Sequence, residues 1–323
     1  MMKLLDIYKL AVDLGKRYDI RGDDLSRLLQ EELDRFERLT EAEKEHYDLQ
    51  KLEHPFSDTR ILSGDPSTEV HTILCGIDME TPEILLADRL NQKGHKIDLV
   101  LAHHPEGTAA AGLYEVMRVQ ADMLEKMGVP INVGEGIMAS RISEVKRRYL
   151  PMNHQRAVDA ARLLDIPFMC VHSPADNLVQ KFLDNIVTNA EFSTLEDLLK
   201  VLRSIPEYHQ AQQLKAGPQI IVGNRSNRTG KVFIKMTGGT AGAEKAYEKL
   251  AQAGVGTIIC MHMPDKHRSL AKEHNLNVII SGHMASDSLG MNLFLDELEK
   301  QGLSIIPCSG LIRISRVKDH DLH

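Results

Sequence analysis

At 323 residues, 42% hydrophobic and 26% charged, the chain has room for roughly two domains and the composition of an ordinary soluble globular protein. A net charge of −7 gives no basic footprint for nucleic acid, and the lack of tryptophan, with 4% aromatic residues, gives no base-stacking platform. No apolar run approaches the ~18 residues of a membrane span, and the first residues are amphipathic and charged rather than a signal peptide, so a cytoplasmic protein is expected.

Residues 1–57 are expected to form a helical extension. Leu4, Leu5, Tyr8, Ala11 and Val12 recur at helical spacing, and Leu28, Leu29, Leu33 and Phe36 repeat the pattern after Asp23 and Asp24. No site motif falls here, so the segment is expected to pack on the core or on a neighbouring subunit. A first α/β lobe is expected over 58–188. It opens with a strand over 73–77 that ends at Asp78. Thr81, Pro82 and Glu83 then supply a cap, a proline at the first helical position and an acid, which predicts a helix to about 94. A strand over 97–102 delivers His103 and His104. A helix over 112–128, a short strand-like run over 129–133, a helix over 153–164 and a strand over 166–171 complete the lobe.

A second α/β lobe is expected over 189–316. Its parts are a helix over 193–204, a hairpin pairing 219–222 with 231–236, a helix over 241–254, strands ending near His262 and His283, a helix over 287–302, and a closing strand or hairpin over 304–314. The polar tail, 317–323, is expected to fray. Cys75, Cys170, Cys260 and Cys308 lie in or beside apolar runs without a C-x-x-C, as reduced, buried thiols do.

Two stretches share one design. LVLAHHPEG (99–107) and TIICMHMPD (257–265) each run an apolar strand into histidine and then proline. Downstream, VHSPAD (171–176) and GHMASD (282–287) each hold H-x-x-x-D, which one helical turn would place on a single face. The repeated order predicts an internal duplication: two lobes facing one another with polar ligands between them. Adjacent strand residues point to opposite faces, so His103 and His104 could share a cluster only where the strand has ended; Pro105 favours that break. Imidazole and carboxylate are ligands for zinc, iron and manganese. The candidates are His103, His104, His172, Asp176, His262, His283 and Asp287. Groups arriving from strand ends in both lobes suit a two-ion site better than a single ion. Gly238, Gly239 and Thr240 read either as a plain strand-to-helix turn or as a phosphate contact; G-K-[ST] and G-x-G-x-x-G are both absent.

Taken together and in order, GIDMETPEILLADRL, LVLAHHPEG, VHSPADN, MTGGTAG and SGHMASDS resemble the Ngg-one-interacting-factor-three-like family, whose bacterial members are often described as type 2 GTP cyclohydrolase I. The motifs span about residues 70–315 and leave the N-terminal helices outside the resemblance. The family implies two similar α/β lobes, a dinuclear metal centre in the cleft and a ring-shaped homohexamer. By motif position it implies His103, His104, Asp176, His283 and Asp287 as metal ligands, with two divalent ions (zinc, iron or manganese) per chain. Asp287 stands where the family usually has glutamate, one methylene longer. VHSPAD departs from the usual A-H-T, so His172 reads as a residue orienting a ligand or water. The expected function is a metal-dependent hydrolase acting on a nucleotide-like or phosphate-containing small molecule, with His172 and His262 as proton shuttles. The alternative is a non-catalytic metal-binding scaffold or interaction protein.

Overall fold

Short apolar runs bounded by turn residues form two sheets in the computed structural model, which describes residues 1–317. In the first sheet, Thr72–Gly76, Leu99–Ala102 and Phe168–Cys170 lie side by side and parallel, and Arg60–Ser63 adds antiparallel to the third. In the second, Lys231–Lys235, Val255–Cys260 and Asn277–Ile280 lie side by side and parallel, and Gln219–Val222 adds antiparallel to the third. Each sheet therefore has three successive parallel strands and an antiparallel edge strand taken from upstream. The central strands are buried on both faces, which is why they read as continuous apolar runs.

The third parallel strand of each sheet leads into a long helix, Ser173–Asn189 in the first lobe and His283–Lys300 in the second. These helices pack directly on each other. A Cβ on Gly290 would collide with the Ala175 carbonyl, so glycine permits the closest approach. That contact brings the two H-x-x-x-D turns together.

Four expectations are corrected. The 219–222 and 231–236 segments do not form a hairpin; they occupy opposite edges of the second sheet, because two parallel strands insert between them. The 129–133 run is not a strand. Its β-branched residues suggested one, but Pro130 caps the 19-residue helix Ile131–Tyr149. The helix expected over 241–254 is confined to Ala246–Gln252, because residues 238–245 form an ordered loop. The closing strand Ser304–Pro307, expected within the second lobe, pairs in parallel with Thr72–Gly76 of the first. It is apolar at Ile305 and Ile306, and it fills the open edge of that sheet.

The N-terminal extension is helical and belongs to the core. Leu4–Arg17 buries Leu4, Ile7, Tyr8 and Ala11 in one cluster with Ala175, Leu178 and Phe294 of the two long helices. Met2–Lys3 pairs with Glu69–Val70. Residues 311–317 form a strap along His283–Lys300, where the Ser288 hydroxyl accepts from the Ile312 amide at 3.0 Å and Arg313 pairs with Asp296 at 2.6 Å. The four cysteines are free. Among the described residues no helix is long and apolar enough to cross a membrane. The tail beyond 317 lies outside the described residues.

Candidate metal centre

The strand carrying the double histidine ends at Ala102. The next two amides still donate to the neighbouring edge, His103 to the Gly76 carbonyl and His104 to that of Ile77. Past the strand end both side chains turn to one place. His103 Nε2 lies 3.5 Å from Asp287 Oδ1, and His104 Nε2 lies 3.4 Å from Asp287 Oδ2. His283, one turn before Asp287 on the same helix, brings its Nε2 to 3.4 Å from Oδ2. Asp176 approaches from the other long helix, with Oδ1 3.6 Å from His103 Nε2 and Oδ2 4.0 Å from His172 Nε2.

These side chains fall into two overlapping groups that could each hold a metal ion. One is His103, His172 and Asp176; the other is His103, His104 and Asp287; in each the ligand atoms lie within 4.8 Å of one another. The structure thus brings together six of the seven residues singled out from the sequence. The seventh, His262, is exposed at the edge, its ring 4.9 Å from that of His283.

Three of the histidines are oriented the same way. His103 Nδ1 donates to the Val171 carbonyl at 3.0 Å, His104 Nδ1 to Asp78 at 2.6 Å and His172 Nδ1 to Asp58 at 2.8 Å. Each bond fixes the tautomer that leaves Nε2 facing the cluster, as outer partners do for metal-bound imidazoles. Ser173 Oγ also donates to Asp58, at 2.7 Å. Sequence reasoning gave Asp58 and Asp78 no role. Asp78 carried a signal, as an acid at the end of the strand beside the double histidine; Asp58 lies in a loop with no local pattern around it. Alanine at Asp78 or Asp58 is expected to weaken metal binding about 10–100-fold with the fold intact, as read by competition with a chromophoric chelator.

The electrostatics fit a cation. His103 Nε2, Asp176 Oδ1 and both Asp287 oxygens are buried without a hydrogen-bond partner. Each such atom costs about 1–3 kcal/mol, so four converging on one point are what a bound ion would satisfy. Burial drives His103 down to about 4 and pushes Asp176 up to about 8. Burial opposes charge on His104 too, but Asp287 and Asp78 outweigh it and raise the imidazole to about 10. Asp287 is held far below the usual carboxylate range, because His103, His104 and His283 outweigh its burial. The metal-free centre therefore keeps protons at neutral pH that a divalent ion must displace.

The arrangement defines a two-lobed α/β protein with a buried His/Asp cluster, suited to holding metal ions, at the interlobe cleft. No protein-family model and no curated protein matches the sequence. In three dimensions the chain is similar to a NIF3 superfamily protein from Sphaerobacter thermophilus, with a TM-score of 0.69 and 24% identity over 88% of this chain and 98% of that one. It is also similar to reduced HcgD from Methanocaldococcus jannaschii (TM-score 0.47, 14% identity, 76% and 87% covered). TTHA1606 from Thermus thermophilus is a further structure of this kind (TM-score 0.46, 14% identity, 90% and 99% covered). The fold is that of the NIF3 superfamily, as the motif resemblance implied.

Proposed function

We propose that this protein is a two-ion, metal-dependent hydrolase of a small nucleotide-like or phosphate-containing molecule. The observation that carries the reading is the set of four buried, unpartnered atoms on His103, Asp176 and Asp287, beside an open pocket. When bound, a divalent pair supplies Lewis acidity and lowers the pKa of a coordinated water. His103, His104, Asp176, His283 and Asp287 are the proposed ligands. Asp287 presents Oδ1 towards His103 and Oδ2 towards His104 and His283, so it would hold an ion with those histidines, and Asp176 with His172 would hold a second. Glycine at 290 lets this helix lie directly against Ala175 of the helix that carries Asp176, so the two carboxylates come from closely packed elements. In this proposal His172, whose Nδ1 is held by Asp58, ligates an ion or passes a proton, and exposed His262 serves as the outer proton relay.

The reading extends to a cytoplasmic homohexameric ring with zinc, iron or manganese as the metal; mass measurement of the intact assembly and elemental analysis test those parts. A second reading keeps the ions as a non-catalytic staple, and it draws on the ligands' origin in both lobes.

The deciding experiment is metal content per chain by mass spectrometry on untagged protein purified without chelator. Close to two ions are expected, and His104→Ala or Asp176→Ala is expected to lose most of the metal while staying folded. Chelator-sensitive turnover in a screen of nucleotides and phosphate esters supports the hydrolase. Two retained ions without turnover favour the staple. No metal after reconstitution overturns both readings.

A further inference from the structure

Beside the histidine cluster the cleft deepens over the second sheet. Phe233, Ile258 and Leu250 form its apolar floor, and residues 237–243 form one wall. The backbone of that wall is fixed. Gly238 and Gly239 take φ values of +102° and +79°, which side chains rarely adopt, and a Cβ on Gly238 would lie 2.7 Å from Gln120 Cγ. Gln120 Nε2 donates to the carbonyls of Gly238 and Thr240 at 2.6 and 2.8 Å. The loop's carbonyls are thus tied back into the protein. Among the described residues, the amides of Gly239, Ala241 and Gly242 have no backbone partner, whereas that of Thr240 donates to Gly238.

Lys235 faces the same pocket. It pairs in register with Cys260 and shares a strand face with Phe233. Its ammonium donates to the Thr240 carbonyl at 3.1 Å, and among the described residues it forms no ion pair, although the Asp176 charge acts on it. Burial pushes it down to about 8; Cys260 and Asp176 offset this only in part, and the Arg141 cation adds to it. A cation without a counter-ion and three unengaged amides share one pocket, next to Asp176 and Asp287.

We infer that Lys235 and the 238–242 loop form an anion subsite, which holds the phosphate or carboxylate group of a small molecule whose apolar or aromatic body lies on Phe233 and Ile258. The inference rests on the proposed function only for the ligand's other end, which would point to the histidine cluster. Anion capture itself uses this chain's own groups. On this proposal the glycine pair contacts the ligand rather than serving as a plain strand-to-helix turn.

The test titrates phenyl phosphate, benzoate and neutral phenol into wild-type protein, Lys235→Met and Lys235→Arg, with metal loaded and after chelation. At least one anionic probe is expected to bind wild type and to lose about tenfold or more in affinity in Lys235→Met, with Lys235→Arg retaining most of it. Phenol binding, metal content and unfolding midpoint are expected to stay unchanged. Which anion binds identifies the group. Equal affinity in wild type and Lys235→Met, or binding that vanishes on chelation, overturns the subsite. Lys235-dependent binding in a protein that takes up no metal leaves the subsite standing and removes the proposed function, so the two fail separately.

Discussion

Asp287→Ala is expected to empty the centre, with an affinity loss beyond the roughly 100-fold ceiling for losing an outer partner. Asp287 is the carboxylate common to His103, His104 and His283, and it is 1% exposed, so no water-borne group can replace it easily. The same change releases His104 from one of the two acids that keep it protonated. Wild-type protein is therefore expected to expel protons on metal uptake at neutral pH, and the variant is not. Calorimetric titration of metal in two buffers of different ionisation enthalpy reads both effects. Wild-type stoichiometry and proton release in Asp287→Ala would place the ions elsewhere.

Arg316→Ala is expected to cost about 3–5 kcal/mol of stability, seen as a fall of roughly 5–10 °C in the thermal midpoint. Glu207 is fully buried, and the Arg316 guanidinium grips both of its oxygens, at 2.7 and 2.8 Å. Asn292 Nδ2 adds a bond to Oε1 at 2.8 Å. Truncating the arginine strands a carboxylate away from water, which costs far more than the pair itself contributes. A Glu207→Met, Arg316→Met double variant is expected to recover most of the loss, because an apolar pair leaves nothing unsatisfied. Additive losses in the double variant would show that the strap holds by packing alone.

The strands that carry the chemistry were legible because burial on both faces writes them as unbroken apolar runs, and a histidine at the end of such a run stands out. The H-x-x-x-D pairs were legible because a single helical turn fixes their geometry locally. What escaped reading depends on partners far apart in sequence. Nothing near Gln219–Val222 says that it pairs with Asn277–Ile280 rather than with the adjacent strand. Nothing near Ser304–Pro307 says that it returns to a sheet built more than 200 residues earlier. Asp58 reaches His172 across 114 positions, from a loop whose composition marks only a turn. His172, expected to orient a ligand or water, has its own orientation set by that distant acid and stands in a group that could hold a metal ion.

The route of the chain between its lobes bears on how the cleft works. After the second sheet is complete, the chain crosses to the first as Ser304–Pro307 and crosses back as the strap on His283–Lys300. This is a lockstitch. Prying the halves apart like a clamshell would have to strip Ser304–Pro307 from the first sheet or pull Arg313 and Arg316 off buried acids of the second lobe. The lobes are therefore expected to melt in one transition rather than two. With the two halves stitched in this way, selection among molecules that enter the cleft is expected to fall to size and charge at the doorway rather than to a closing motion.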